Sequence, residues 1–99
     1  MSKWEDLAMA TKNYVAYALG KRIAFLRRQK GWSQLEFSLR SDIAKSYICE
    51  LEAGKRNPSL LLLEKVCVAL GCTLSTLFEG VGPVVMPRSI LGSRPSDED

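Results

Sequence analysis

Two short segments constrain this chain more than anything else in it: Trp32-Ser33-Gln34 and Glu52-Ala53-Gly54-Lys55-Arg56-Asn57-Pro58. They bracket two short amphipathic stretches joined by Arg40-Ser41-Asp42-Ile43. Each segment combines a helix boundary with groups suited to phosphate. Ser33 has the hydroxyl of an N-cap and predicts a helix from Gln34 to about Leu39. The next four residues read as a turn, with Asp42 able to tolerate the left-handed conformation of a tight corner. A further helix is expected from about Ala44 to Glu52 or Ala53, ended by Gly54.

Helical periodicity extends to both sides, and no alternating strand pattern of useful length occurs. Ser2 with Glu5 makes a capping-box pattern. Trp4, Leu7, Thr11, Tyr14, Val15, Ala18 and Leu19 then recur at helical spacing. Gly20 weakens the run, leaving open whether one helix or two covers residues 2–30. Ile23, Leu26 and Lys30 continue the period up to Gly31, a natural C-terminal stop. Downstream, Pro58 and Ser59 start a helix whose buried stripe is expected to be Leu60, Leu63, Val66, Cys67 and Leu70, ending at Gly71. Thr73 caps a short last helix through Phe78. Beyond Gly80 the prolines, glycines and final Asp97-Glu98-Asp99 predict a disordered tail, with a brief strand at Val84-Val85-Met86 on a partner as the alternative. The expected division is a helical extension at 1–18, a helical body at 19–78 and a flexible tail at 79–99.

Ninety-nine residues allow one modest core, and a composition 46% apolar and 25% charged suits a globular, water-soluble class. The body up to Phe78 carries twelve Lys/Arg against seven Asp/Glu, whereas the remainder carries two against four. A basic body favours an anionic partner. No apolar run exceeds six residues, the leucine run at 60–63 included, so none can span a bilayer, and the N-terminus lacks a signal-peptide core. A cytoplasmic location is expected, with no membrane partner. Three cysteines, Cys49, Cys67 and Cys72, suit a reducing compartment, and they fall one ligand short of a closed zinc site. The chain has no histidine, which removes the commonest general base and any Ser-His or Cys-His pairing. No enzymatic activity, metal or cofactor is expected.

Residues 19–78 resemble the Cro/repressor-type helix-turn-helix domain of the xenobiotic-response-element (XRE) family. The matching residues are Leu19-Gly20-Lys21-Arg22-Ile23, Leu26-Arg27, Gly31-Trp32-Ser33-Gln34, Tyr47-Ile48, Leu51 through Ser59, and Ala69-Leu70-Gly71. The resemblance implies an all-α, five-helix, lambda-repressor-like bundle preceded by an N-terminal helical extension. It also implies a transcriptional regulator of double-stranded DNA, whose third helix enters the major groove. By resemblance, Lys45, Ser46 and Glu50 occupy base-reading positions. The residue chemistry agrees in type, since Lys donates to guanine and Glu accepts from cytosine. A carboxylate near phosphates is repelled unless paired, so Glu50 either reads a base or orients Lys45 or Arg40. Ser33 and Gln34, at a helix N-terminus, are expected to hold a phosphate, and Gln34 resembles the family's phosphate-clamping glutamine. Tyr47 packs on the sugar-phosphate surface or on the protein. Lys55, Arg56 and Asn57 follow in an exposed loop suited to backbone contacts. Arg27 and Glu52 resemble the family's internal ion pair.

The chain departs from that pattern at three places. Ala44 stands where a Ser or Thr N-cap is usual, Asp42 replaces the turn glycine, and Phe37-Ser38 replaces a Leu-Ala pair. There is also a surplus of leucines: Leu35 and Leu39 on the second helix, Leu61 and Leu62 on the fourth. They are expected to pack on the N-terminal helix carrying Trp4, Leu7 and Tyr14, or on a second subunit. One recognition helix reads few bases, so a homodimeric repressor on a palindromic operator is the favoured reading. The alternatives are a restriction-modification controller, or an activator touching RNA polymerase through Glu36, Leu35 and Leu39. A protein-interaction module or antitoxin that uses the bundle to hold a partner is the rival from another class.

Overall fold

A computed structural model describes the backbone of residues 3–82 and the side chains of residues 14–82. Five helices follow one another: α1 (Lys3–Gln29), α2 (Gln34–Ser41), α3 (Lys45–Glu52), α4 (Leu60–Leu70) and α5 (Leu74–Leu77). No strand occurs among the described residues. The expected all-α class therefore holds. The anticipated capping box at Ser2, the Trp4 and Leu7 side chains and the tail from residue 83 onward lie outside the described residues.

The helix starts are set by local chemistry. Ser33, Ser59 and Thr73 are extended N-caps whose hydroxyls accept from the amides of Glu36, Leu62 and Thr76, each satisfying one donor that a helix start leaves free. Asp42 takes the left-handed conformation (φ 59°) that the sequence anticipated for the corner after α2. That helix runs to Ser41, two residues beyond the expected end. Ala44 provides no side-chain cap for α3. The turn is tied instead by Ser38, whose hydroxyl donates to the Ile43 carbonyl at 2.5 Å, and by Ser41, whose hydroxyl accepts from the Ile43 amide at 3.3 Å. The departure at Ser38 thus supplies a fastening that an alanine lacks.

Leu19, Ile23, Phe37, Ile43, Ile48, Leu51, Leu63, Val66, Cys67, Leu70 and Leu77 form one core to which every helix contributes, either directly or by bordering it. Leu60 is a correction to the expected α4 stripe, being 76% exposed. At 100° per residue Leu60 lies about 60° from Leu63 on the Cys67 side of the stripe, where it borders an open groove instead of the core. Leu62 rather than Leu60 packs against the core edge. Arg22 fastens α1 to the end of the bundle, donating to the Thr76 carbonyl at 2.9 Å and pairing with Glu79 at 3.1 Å.

The open question about α1 has a definite answer: it is one helix, running without a break through Gly20 and through the anticipated boundary at residue 18. Glycine inside a helix ordinarily lowers stability by about 0.5–1 kcal/mol relative to alanine. Here it is a packing requirement. A Cβ at Gly20 would collide with the Leu51 carbonyl oxygen and sit 2.7 Å from that of Glu52. One turn of chain away, Gly54 has φ +76° and its missing Cβ would lie 2.8 Å from the Tyr17 Cα. Two glycines therefore let α1 press directly on the C-terminus of α3.

The sign of one substitution follows. Propensity alone says Gly20→Ala stabilises the protein. The contact with the α3 backbone says that it destabilises by about 1–3 kcal/mol, as overpacking does. Thermal unfolding is expected to show a lowered Tm, and a raised Tm would contradict the close approach.

Candidate nucleic-acid interface

The first turn of α3 presents Lys45 and Ser46 to solvent and contains no acidic side chain. A helix N-terminus carries free amides and about half a positive charge. A lysine placed there is mildly unfavourable for the isolated helix and well suited to an anion brought from outside. Ile48 and Leu51 are buried, which fixes the opposite side of α3 against the core. Tyr47 is half-buried and packs at the core edge, so it serves the protein interior as well as the surface.

Glu50 pairs with Arg56 at 3.2 Å, and the Arg56 guanidinium also lies 5.2 Å over the Tyr47 ring. The anticipated alternative, that Glu50 orients Lys45 or Arg40, is not what the structure displays, because Arg40 pairs with Glu36 at 3.1 Å. Arg56 in turn is held against α3 rather than extended from the loop. Lys55 and Asn57 are exposed on that loop, past the left-handed Gly54. Glu50 and Arg56 are both about half exposed, a setting in which an ion pair contributes roughly 0–1 kcal/mol. The pair can open when a phosphate or base edge offers either partner more.

Ser33 is exposed, and its hydroxyl is occupied as the α2 cap. The Gln34 side chain points inward. Its amide nitrogen donates to Glu52 Oε1 at 3.0 Å and its oxygen accepts from the Cys49 thiol at 2.9 Å. A phosphate at the start of α2 therefore meets backbone amides first, and the Gln34 side chain only if it leaves Glu52.

Beneath this face lies the anticipated ion pair. Arg27 donates through Nε to Glu52 Oε2 at 2.7 Å and through Nη2 to Oε1 at 3.0 Å, a bidentate fork. Its remaining nitrogen donates to the Trp32 carbonyl at 2.7 Å. The two side chains are 9% and 6% exposed. The hydrogen bond to Glu52 raises the Arg27 pKa above its ordinary value, outweighing the opposing effect of burial, so the guanidinium stays charged at any working pH.

Comparison with known proteins places this geometry. Residues 23–77 match the helix-turn-helix family model HTH_3, a span from the last two turns of α1 to the end of α5 that encloses every candidate site residue. The chain belongs to the HTH_3 helix-turn-helix family. Among curated relatives, the control protein C.MunI of a Mycoplasma species is 39% identical over 70 residues, covering 70% of this chain and 95% of that protein. The transcriptional regulator SinR of Bacillus subtilis is 37% identical over 62 residues, and the match spans 56% of its length. Among solved structures, the restriction-modification controller C.AhdI of Aeromonas hydrophila superposes with a TM-score of 0.62 at 35% identity, covering 64% of this chain and 91% of that one. The clp gene regulator ClgR of C. glutamicum gives 0.61 at 35% identity, covering 66% and 85%. Like its HTH_3 relatives, this chain is a DNA-binding regulator of transcription.

Within the HTH_3 frame, three features had no usable sequence signal. The Glu50–Arg56 pair spans six positions across the Gly54 turn, so helical spacing does not suggest it. Arg40 lies 4.6 Å over the Trp32 ring, which adds a fixed positive charge to α2. Cys49 and Gln34 meet only because α2 and α3 cross.

Burial separates the two ion pairs. Glu52→Gln leaves Arg27 charged and largely buried, and is expected to cost about 3–5 kcal/mol in urea unfolding. Glu50→Gln, at the half-exposed pair, is expected to cost less than about 1 kcal/mol. Comparable losses would mean that the Arg27–Glu52 pair does not organise the fold.

Proposed function

We propose that this chain is a homodimeric repressor that occludes a promoter by binding a palindromic or near-palindromic operator. The observation that carries the reading is the first turn of α3, where Lys45 and Ser46 stand exposed at the positive end of a helix whose other side is locked in the core. Lys45, Ser46 and an unpaired Glu50 are the base-reading groups. The α2 N-terminus at Ser33 and Gln34, with Lys55, Arg56, Asn57 and the Tyr47 face, positions the sugar-phosphate backbone. Eight residues of α3 read few base pairs, and two copies bound about 34 Å apart read two half-sites on one side of the duplex.

The surface best suited to pairing is the outer side of α4 and α5. Leu60, Val68 and Leu74 are 76%, 77% and 45% exposed there and border one groove. Leu35 and Leu39 are also exposed, at 54% and 71%, so these α2 leucines remain available to a further partner. Glu36 is engaged with Arg40, which leaves the two leucines as the part of the anticipated polymerase-contacting patch that is open. A restriction-modification controller is the second reading, favoured because the match spans nearly the whole of C.MunI and C.AhdI. The protein works in the cytoplasm without catalysis, metal or cofactor.

Salt separates DNA binding from a retired bundle that holds a protein partner. The logarithm of affinity for a selected operator is expected to fall with log salt at about −0.9 per phosphate contact. A flat salt dependence, or no binding to any duplex, would favour the protein-interaction module or antitoxin. Sedimentation at micromolar concentration is expected to show dimer for the native chain and monomer for Val68→Asp, a change at an exposed position that leaves the core intact. A native monomer, with and without DNA, would remove the dimer.

A further inference from the structure

The end of α4 brings two of the three cysteines together. Gly71 is left-handed there, and its amide donates back to the Val68 carbonyl at 3.3 Å, while the Cys72 amide donates to the Cys67 carbonyl at 3.1 Å. This double bond pattern is a Schellman cap, in which the residue after the left-handed position normally rests its side chain on the residue five positions earlier. Those two residues are Cys72 and Cys67. The cap therefore brings the two cysteines to the same end of α4. Both line the open groove of about 700 Å³ between α4 and α5, with Leu60, Val68 and Leu74 around them. Cys67 is 6% exposed and Cys72 is half-buried, so only one of the pair meets solvent readily. No cluster of three metal-ligating side chains occurs among the described residues. The arrangement suits joining two sulfurs better than closing a metal site.

We infer that Cys67 and Cys72 are a peroxide-responsive dithiol that closes an intrachain disulfide across the α4 cap. The more accessible Cys72 thiol reacts first. Its sulfur displaces hydroxide from a hydroperoxide such as hydrogen peroxide, giving a sulfenic acid and, with the thiol proton, one water. The Cys67 sulfur then attacks that sulfur, forming the S–S bond and expelling the hydroxyl, which leaves as a second water with the Cys67 proton. Two thiols are oxidised and one peroxide is reduced. Burial in the core pushes the Cys67 thiol up to about 11, so it enters the second step as a protonated group at neutral pH, and closure quickens as pH rises. Cys49 is not part of this chemistry, since it lies on α3 with its thiol given to Gln34. Closure also alters the wall of the groove assigned above to subunit pairing, a consequence that rests on that reading.

The test uses the full reduced chain, treated with hydrogen peroxide at neutral pH, capped with iodoacetamide and digested with trypsin. Lys65 and Arg88 flank the two cysteines, which leave on one peptide, whereas Cys49 leaves on another. The expected result is a peptide uncapped at both sulfurs and lighter by two hydrogens, restored by dithiothreitol. It is expected to form in Cys49→Ser and to be absent in Cys72→Ser. Capping of both sulfurs, oxidation of Cys72 to sulfinic acid without linkage, or cross-links through Cys49 alone would each overturn the inference. Sedimentation of the oxidised protein then examines the link to pairing. A shifted monomer–dimer equilibrium supports it, and an unchanged dimer severs it. A native chain that is monomeric throughout refutes the dimer while leaving the mass result to decide the thiols.

Discussion

Everything on the DNA-facing side of this bundle is referred to one buried ion pair. Arg27 projects from α1 and Glu52 from the last turn of α3, and their bidentate contact ties α1 to the end of α3. The same two side chains collect the Trp32 carbonyl and the Gln34 amide, so the α1–α2 link and the start of α2 are fastened to the same point. Charges this deeply buried are tolerated only when their hydrogen-bonding capacity is filled. Among the described residues no buried side-chain nitrogen or oxygen lacks a partner. Gly20 and Gly54 supply the closeness that the pair requires, by removing side chains where α1 meets the end of α3.

That anchoring divides labour along α3. Its C-terminal end is fixed by Glu52, its inner side by Ile48 and Leu51, and its N-terminal turn projects Lys45 and Ser46 from this rigid base. If that turn reads bases as proposed, its position must not depend on what it reads, and the buried pair supports that. The outer pair, Glu50 with Arg56, is built differently. Half exposed and stacked on Tyr47, it is a pair that can open at little cost. Tight polar contacts inside and loose ones outside are what a DNA-binding surface requires.

The parts legible in the sequence were those decided locally or by a pattern of chain-wide order. Ser33, Ser59 and Thr73 act as caps because a hydroxyl needs only the amide three positions on. Asp42 turns the corner because its short polar side chain tolerates the left-handed region. Arg27 and Glu52 were suggested by resemblance alone, since nothing in their spacing joins residues this far apart. The misreadings came from tertiary contacts. Gly20 looked like a weak point of a helix and is its point of closest approach. Leu60 fits the stripe by spacing, yet it stands where α4 borders an open groove. The bond from Gln34 to Glu52 had no sequence signal, because that carboxylate arrives from another helix.

The central claim is that α3 reads bases from its first turn while the loop after it grips phosphate. Selection of bound sequences from random duplex DNA, run in parallel for the native chain, Lys45→Ala and Lys55→Ala, tests it most directly. Both side chains are exposed, so neither change disturbs the core. The account predicts that Lys45→Ala relaxes preference at one position of each half-site, whereas Lys55→Ala weakens all sequences alike and leaves the selected motif unchanged. Equal loss of preference in the two variants, or a motif untouched by Lys45→Ala, would contradict it.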